Sequence, residues 1–463
     1  MAGHERAVCQ GSRRGAAPGA MNAATDTVTF RPSGPLRGRV RVPGDKSITQ
    51  RALLVGAVCE RPVEIVGPVW AGDPLATAGM VVDLGVAIDG LAARERRAVV
   101  HGVGLRGLRA PGHSLDAGNS GTGMRLLAGL LAGQRGSFVI DGDRYLRGRP
   151  MARIVAPLRA MGARITTRDG ERAPLTIDGG PLRAIRHEPP VASAQVKSCL
   201  LLAGLLAEGE TVVCEPAPSR DHTELMLAAA GASVARRGAE VAVRGAERLD
   251  LGRIAIPGDL SSAAFLVAAA LLVPGSDLVV SEVGLNPTRL GFCEAVRAMG
   301  GEIEWAVTGT DGGEPRGELR VRASALHGTT VPAAATPSLI DEVTLLALLG
   351  CFAEGETVVE GVSDLRAKET DRLAAIVEIV TALGGAAETS ADALRIGGTD
   401  AVRPGGARIL RGGALDSRGD HRLALLGAVA GLACPAGVTV TGFEAATVSF
   451  PDFSDVLAEV LPS

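Results

Sequence analysis

Aromatic residues are scarce in this chain of 463 residues, where Phe, Tyr and Trp together make up 2%. That scarcity removes the platforms on which single-stranded bases stack, and it leaves Leu, Val and Ala to fill the cores. Charge of one sign is lacking too: 48 Lys and Arg stand against 51 Asp and Glu, a formal net charge of −3. Nothing pulls the whole chain towards nucleic acid or anionic lipid, so any recognition of anions must be local. The seven cysteines, at 9, 59, 199, 214, 293, 351 and 434, form no CxxC pair, and no two histidines stand at helical metal-ligand spacing. This excludes a disulfide framework and a structural zinc site. Cys199, Cys214, Cys351 and Cys434 lie within apolar phrases and read as small buried thiols. Long apolar runs are missing as well; the longest, Ala263 to Val273, stops at Pro274, short of a membrane span. Residues 1–26 contain Arg13 and Arg14 but no apolar h-region, so they read as a disordered leader rather than a secretory signal, with Met21 a candidate start. The expectation is a soluble cytoplasmic protein of about two to three domains.

What is present is a repeated phrase. A helix of small aliphatic residues breaks at Gly or Pro and drops into a short β-branched strand six times: Ala52 to Gly67, Arg125 to Gly142, Leu200 to Glu215, Ala264 to Val283, Leu345 to Val362 and Leu423 to Phe443. Two copies share AEGETVV verbatim, at Ala207 to Val213 and Ala353 to Val359. The turns fall near Pro62, Gly136, Gly209, Gly275, Gly355 and Gly437, 66 to 82 residues apart. That period exceeds the usual solenoid repeat, so each unit is a small subdomain. A companion phrase, a helix end followed by Gly and a strand, recurs at Gly85, Gly162, Gly231, Gly300 and Gly384, which gives each unit two helices and several strands.

The helix starts are polar: Gly44-Asp45-Lys46-Ser47, Gly118 to Thr122, Ser193-Ala194-Gln195, Gly258 to Ser262, Ser338 to Glu342 and Asp416 to Arg422. Unpaired N–H groups and a partial positive charge favour anions there, so starts brought together by symmetry would make an anion-binding cleft. Val42 to Ser47 and Ile256 to Ser262 echo each other 214 positions apart. Pro-Gly-Asp followed by Ser fits a turn and a helix N-cap. With three units between these echoes and three after, they read as paired crossovers between two bodies. One is residues 27–44 plus 258–463 and the other is residues 45–257. Alternating helices and strands call for an α/β architecture with helices covering sheets, supported by the amphipathic Arg153 to Met161. Arg153, Arg159 and Arg164 are expected to decorate an exposed helix and strand. A cleft between bodies is the place for a ligand.

The landmarks VPGDKS (Val42 to Ser47) with Arg51, GNSGTGMR (Gly118 to Arg125), Arg149-Pro150-Met151, SAQVK (Ser193 to Lys197), SRDHTE (Ser219 to Glu224), Pro257 to Ser262, LIDE (Leu339 to Glu342), LRAKETDR (Leu365 to Arg372), DHR (Asp420 to Arg422) and SFPDF (Ser449 to Phe453) run in order from about residue 30 to the C-terminus. Together they resemble the 5-enolpyruvylshikimate-3-phosphate synthase family. The resemblance implies the two-domain enolpyruvyl transferase fold, an inside-out α/β barrel of six βαβαββ repeats, three per domain. It also implies transfer of the enolpyruvyl group of phosphoenolpyruvate to the 5-hydroxyl of shikimate 3-phosphate with release of phosphate, using no metal and no organic cofactor. By motif match, Lys46, Ser47, Arg51, Ser193, Gln195 and Arg220 would meet shikimate 3-phosphate, with Lys46 and Gln195 also reaching phosphoenolpyruvate. Asn119 and Gly121 would bring backbone close to phosphoenolpyruvate, and Arg149, Arg372 and Arg422 would clamp its charges, as guanidinium forks do. Asp341 would be the general base for the 5-hydroxyl, Glu369 the acid that protonates the methylene carbon, and Lys368 would hold the hydroxyl region. His421 either orients Arg422 or packs.

The chain departs from the family pattern at three places. Gly123 replaces the usual Thr or Ala, loosening that helix start by about 1 kcal/mol relative to Ala. Thr49-Gln50 replaces Ser-His or Ser-Asn, and Val448 occupies the place of a lysine in some members. Two alternative readings are a UDP-N-acetylglucosamine enolpyruvyl transferase and a non-catalytic anion-binding repeat scaffold. The first typically has a cysteine before the Arg-Pro pair, where Arg144 to Gly148 has none; the second predicts bland helix starts. A monomer without nucleic-acid or membrane partners is expected.

Overall fold

The computed structural model describes residues 26–400 and 410–462. Apart from Asp26, the leader expected over residues 1–26, with Met21 and Cys9, lies outside the described residues.

Each of the six apolar phrases forms a helix: Lys46–Ala57, Gly121–Ala132, Ala194–Gly204, Leu260–Leu272, Val343–Phe352 and His421–Ala433. They are apolar on nearly every side, and every residue from Leu260 to Leu271 and from Val343 to Cys351 is buried. A helix of that kind is stable only inside a protein. Leu260–Leu272, Val343–Phe352 and His421–Ala433 all touch one another, and small sheets enclose them.

The sheets repeat one plan. Leu115–Asp116 runs parallel to Gly136–Asp141, which pairs antiparallel with Arg172–Gly179, itself antiparallel to Arg164–Arg168. The same order joins Arg186–His187, Glu210–Cys214, Glu240–Arg244 and Val234–Arg237, and again Thr330–Val331, Thr357–Glu360, Ala393–Gly397 and Ala386–Thr389. Two sheets reach this plan by exchanging their first strands. Arg253–Ala255 joins Val63–Val66, while Arg37–Val40 joins Asp277–Gly284, each in parallel. The sixth sheet sets Gly413–Asp416 parallel to Val438–Thr441 and is closed by the N-terminal strand Thr27–Phe30. Phe30, Phe443, Phe450 and Phe453 gather there with ring centroids 4.9 to 6.3 Å apart, so four of the chain's eight Phe seal one seam.

Buried side chains form two cores, one drawn from Phe30 to Val42 and Leu260 to Val460, the other from Ile48 to Ile256. Between them the chain crosses twice, and the crossings hold each other: Asp45 N donates to Pro257 O and Asp259 N to Pro43 O, both at 2.8 Å. The residues that cap the following helices are Asp45 and Asp259, which accept from Ile48 N and Ser261 N. Ser47 and Ser261 therefore lie inside the first turns.

The shared AEGETVV stretch gives matching packing in both bodies. Gly204 lies so close to Thr211 that an added Cβ would be 2.9 Å from its Cβ, and Gly350 approaches Thr357 in the same way at 3.1 Å. Any larger residue would push helix from strand. The companion glycines end the second helices with φ between +83° and +105°, the left-handed conformation of a helix C-terminus. Cys199, Cys351 and Cys434 are buried as expected. Cys214 is only half-buried, because it falls on the outer face of the alternating strand Glu210–Cys214. Among the described residues no helix is long and apolar enough to cross a membrane.

Candidate active site

A cleft of about 420 Å³ lies between the two bodies. It is lined by helix starts. Lys46 and Ser47 follow the Asp45 cap, Gly121 and Thr122 follow Ser120, Ser193 is itself the cap before Gln195, Arg372 follows Asp371, and His421 and Arg422 follow Asp420. Asp341 stands just before Val343–Phe352. Each cap satisfies one backbone donor, and the unpaired N–H groups and dipole of the first turn add to the positive field of the side chains.

Of the residues expected at a site, Lys46, Ser47, Arg51, Gly121, Arg149, Ser193, Gln195, Arg220, Asp341, Lys368, Glu369, Arg372 and Arg422 line this one cleft. Asn119 does not; it sits in the loop behind Gly121, with Oδ1 buried and without a hydrogen-bond partner. Arg51 forms part of the wall but spends its guanidinium on the protein, donating to Thr223 Oγ1 at 2.7 Å, Ser198 Oγ at 3.0 Å and Ser47 O at 2.9 Å. Burial pulls its pKa down to about 10.

On the wall from residues 45–257, Lys46 Nζ meets Asp73 Oδ2 at 2.8 Å. Gln195 donates to Thr122 Oγ1 at 2.8 Å and accepts from Arg125 at 2.5 Å. Burial, with Arg149 and Arg153 nearby, pulls Arg125 down to about 9. A Cβ on Gly121 would come within 2.9 Å of Arg149 and 3.0 Å of Arg125, so only glycine lets both guanidiniums approach this helix start.

On the other wall the two carboxylates share one guanidinium. Arg372 Nη1 is 3.5 Å from Asp341 Oδ1, and Nη2 is 2.6 Å from Glu369 Oε2. Asp420 anchors Arg372 from behind at 2.8 Å. Burial alone would push the Asp341 carboxyl up, but Arg422, Lys368, Arg220 and Arg372 together hold it well below the ordinary aspartate range. Burial opposes ionisation of Glu369 too and is overcome chiefly by Arg372 and Arg149, with Lys46 adding to them, so its pKa also lies well below the usual value. Burial lowers Lys368 despite the neighbouring Asp341. Burial and the adjacent cations hold His421 well below its ordinary range, so the ring is neutral. Its Nε2 is buried and unpartnered, and its Nδ1 lies 3.9 Å from Asp420. Among the described residues no three His, Cys, Asp or Glu side chains gather as a metal-ligand set.

Ion pairs cross the cleft between Arg220 and Asp341 at 2.5 Å, Arg153 and Asp364 at 3.2 Å, and Arg149 and Glu369 at 3.8 Å. Arg153, expected to decorate an exposed helix, is exposed yet bridges the cleft mouth. Its helix, Ala152–Ala160, directly follows Pro150, which also lines the cleft. Asp73, Arg125 and Arg289 line the cleft without having been singled out from the sequence. Arg125 closed a landmark whose glycines drew the attention, while Asp73 and Arg289 stood in stretches without a landmark.

Two departures from the family pattern meet at one spot. Gln50 Nε2 donates to Thr77 Oγ1 at 2.8 Å and to Ser120 Oγ at 2.6 Å. A Cβ on Gly123 would collide with those same oxygens, at 2.7 and 3.0 Å. Gly123 thus makes room for this junction, and the loosening expected from helix propensity is set against close packing. Val448 lies beside Gly72 and does not line the cleft.

The family model for EPSP synthase (3-phosphoshikimate 1-carboxyvinyltransferase) matches residues 30–457. The chain is 48% identical to the 3-phosphoshikimate 1-carboxyvinyltransferase of Halorhodospira halophila over 427 residues, covering 92% of this chain and 94% of that protein. It is also 48% identical to the enzyme of that name from Thermus thermophilus, over 92% of this chain and 97% of the relative. The solved EPSP synthase of Acinetobacter baumannii superimposes with a TM-score of 0.82 at 38% identity, covering 94% of this chain and 98% of the other. The enolpyruvyl transferase NikO from Streptomyces tendae shares the fold, with a TM-score of 0.73 at 17% identity.

Proposed function

The chain belongs to the EPSP synthase family and transfers the enolpyruvyl group of phosphoenolpyruvate to shikimate 3-phosphate, and from that premise we propose how the cleft divides the work. The observation that carries the assignment is the Arg372 guanidinium lying between Asp341 and Glu369. Two carboxylates facing one cation from either side support a base and an acid acting on the same reacting pair.

Lys46, Ser47, Ser193, Gln195 and Arg220 hold shikimate 3-phosphate, with Arg51 fixing the carbonyl of Ser47 behind them. Lys368 holds the hydroxyl region. Asp341, ionised by its cations, accepts the proton of the 5-hydroxyl as that oxygen bonds to C2 of phosphoenolpyruvate, while Glu369 delivers a proton to the methylene carbon. The tetrahedral adduct then expels phosphate from C2, and the new methyl group returns a proton to restore the double bond. Arg149, Arg372, Arg422 and Lys46 clamp the charges of phosphoenolpyruvate beside Gly121, and Asn119 supports that loop from behind.

Before phosphoenolpyruvate binds, Glu369 is ionised, which is the wrong form for an acid. The anionic groups of phosphoenolpyruvate offset the pull of Arg372 and Arg149 and so raise its pKa into the working range. Orientation of two anions in one closed cleft supplies a large part of the rate.

The six sheet units are βαβαββ repeats of an inside-out α/β barrel, three to each domain, with domains of residues 27–44 plus 258–463 and residues 45–257. The repeated strand order supports this. The protein acts as a cytoplasmic monomer. Asp341→Asn tests the central role: a folded variant that binds shikimate 3-phosphate but releases phosphate about 10³-fold more slowly supports it, and unchanged turnover sinks it. UDP-N-acetylglucosamine serves as the control acceptor and should give no phosphate release.

A further inference from the structure

Arg289 closes the one-turn segment Pro287–Arg289, and no step above uses it. Its side chain is 4% exposed and spans both crossings between the bodies. Nη1 is 3.3 Å from Asp45 Oδ2, and Nη2 is 3.5 Å from Asp259 Oδ1 and 2.5 Å from Ser261 Oγ. Asp45 caps the helix that carries Lys46, and Asp259 caps its counterpart in the other body. Ser261 Oγ in turn donates to Oε1 of Glu342, which is next to Asp341 in sequence. The same Glu342 oxygen is 4.0 Å from Arg289.

The segment is itself fastened to both bodies. Asn286 Nδ2 donates to Asp221 Oδ1 at 2.7 Å and to Glu314 Oε2 at 3.0 Å, and Glu314 meets His222 at 2.6 Å. Three buried carboxylates, Asp45, Asp259 and Glu342, face the one guanidinium; Arg422 lies 3.7 Å from Glu342, and Arg220 and His222 also act on Asp45, but of these cations Arg289 alone is paired with all three. Their mutual repulsion would spread the two helix starts if the guanidinium were withdrawn.

We propose that Arg289 is a positioning residue that sets the register between Lys46 on one wall and Asp341 on the other, so that alignment of the two half-sites depends on one guanidinium at the crossing. The planar fork is required, because a lysine ammonium presents a single point charge and cannot hold both caps and Ser261 at once. The inference rests on the reaction assigned above, since its readout is turnover.

The test measures kcat, KM for both substrates and calorimetric affinity for shikimate 3-phosphate in the wild type, Arg289→Lys and Ser261→Ala. Misalignment of a reacting pair lowers kcat far more than binding, so Arg289→Lys should lose about tenfold or more in kcat with KM and affinity for shikimate 3-phosphate within about threefold. Ser261→Ala, which leaves every charge in place, should lose about threefold in kcat. Wild-type kcat in Arg289→Lys overturns the proposal, as does a parallel fall of kcat and affinity, which would mark a merely structural role. If Arg289→Lys does not fold, Ser261→Ala decides: an unchanged kcat overturns the proposal. A wild type silent with shikimate 3-phosphate and phosphoenolpyruvate would overturn the reaction assignment itself, and the inference with it.

Discussion

The wall contributed by residues 45–257 carries six basic side chains, Lys46, Arg51, Arg125, Arg149, Arg153 and Arg220, against one acid, Asp73, whereas the opposite wall mixes Asp259, Asp341, Asp364, Glu369 and Asp392 with Arg289, Lys368, Arg372 and Arg422. The first wall suits anions that arrive with their own negative charge. The second already balances its charges and can move protons between them. In the division of work proposed above, the first wall chiefly grips, while the second combines the proposed base and acid with its own substrate clamps, Lys368, Arg372 and Arg422.

Substitutions on the two walls should therefore fail differently. The largest effect after Asp341→Asn is expected on the chemical wall: Glu369→Gln should lower kcat by about 10²-fold while leaving KM for shikimate 3-phosphate nearly unchanged. A fall in affinity instead would place Glu369 in the grip and break the contrast.

On the gripping wall, Ser193→Ala should raise KM for shikimate 3-phosphate about tenfold, a loss of about 1.4 kcal/mol, with kcat nearly preserved. An equal fall in kcat would mean that this wall also shapes the transition state.

Proton bookkeeping sharpens the contrast further. Arg372 and Arg149 help hold Glu369 well below its ordinary value of 4.5. Anion binding weakens that pull, so the folded-state pKa rises and the complex takes up a proton. Calorimetry of phosphoenolpyruvate binding to the enzyme with shikimate 3-phosphate, in buffers of different ionisation enthalpy, should show net uptake that is lost in Glu369→Gln. Net release would contradict the acid role.

The smallest effect is expected at the rim, where the two walls meet in solvent. The Arg153 and Asp364 side chains are 48% and 40% exposed, so Arg153→Ala should cost about 0.5 kcal/mol in kcat/KM and be masked by added salt. A loss of tenfold or more would mean that Arg153 touches substrate.

Much of the fold could be read from the pattern. A run of small aliphatic residues that breaks at Gly or Pro before β-branched residues is a local signal, so six such phrases predicted six helix-to-strand units; the helices were expected to cover sheets, and Leu260–Leu272 and Val343–Phe352 are instead enclosed on nearly every side. The helix starts were legible for a related reason, since Ser, Asp and Gly at a helix N-terminus answer local backbone needs. Capping was less specific: within Pro-Gly-Asp-x-Ser the caps are Asp45 and Asp259, which leaves Ser47 and Ser261 inside the first turns, where Ser261 binds Arg289 and Glu342. Cys214 was misjudged because a mean of apolar neighbours hides the alternation of a strand.

Composition, repeats and ordered motifs by themselves determined the class of fold and brought thirteen expected residues to one cleft, because these depend on local backbone geometry and on which side chains can stand at a helix start. Pairing was decided by tertiary structure alone. Asp73 beside Lys46, Gly123 making room for Gln50 against Thr77 and Ser120, Arg153 meeting Asp364, and Arg289 holding Asp45 with Asp259 join residues from 27 to 244 positions apart. No local pattern encodes such partners, because a buried charge or a close approach is settled only when the chain has crossed between its two cores and brought those groups within a few ångströms.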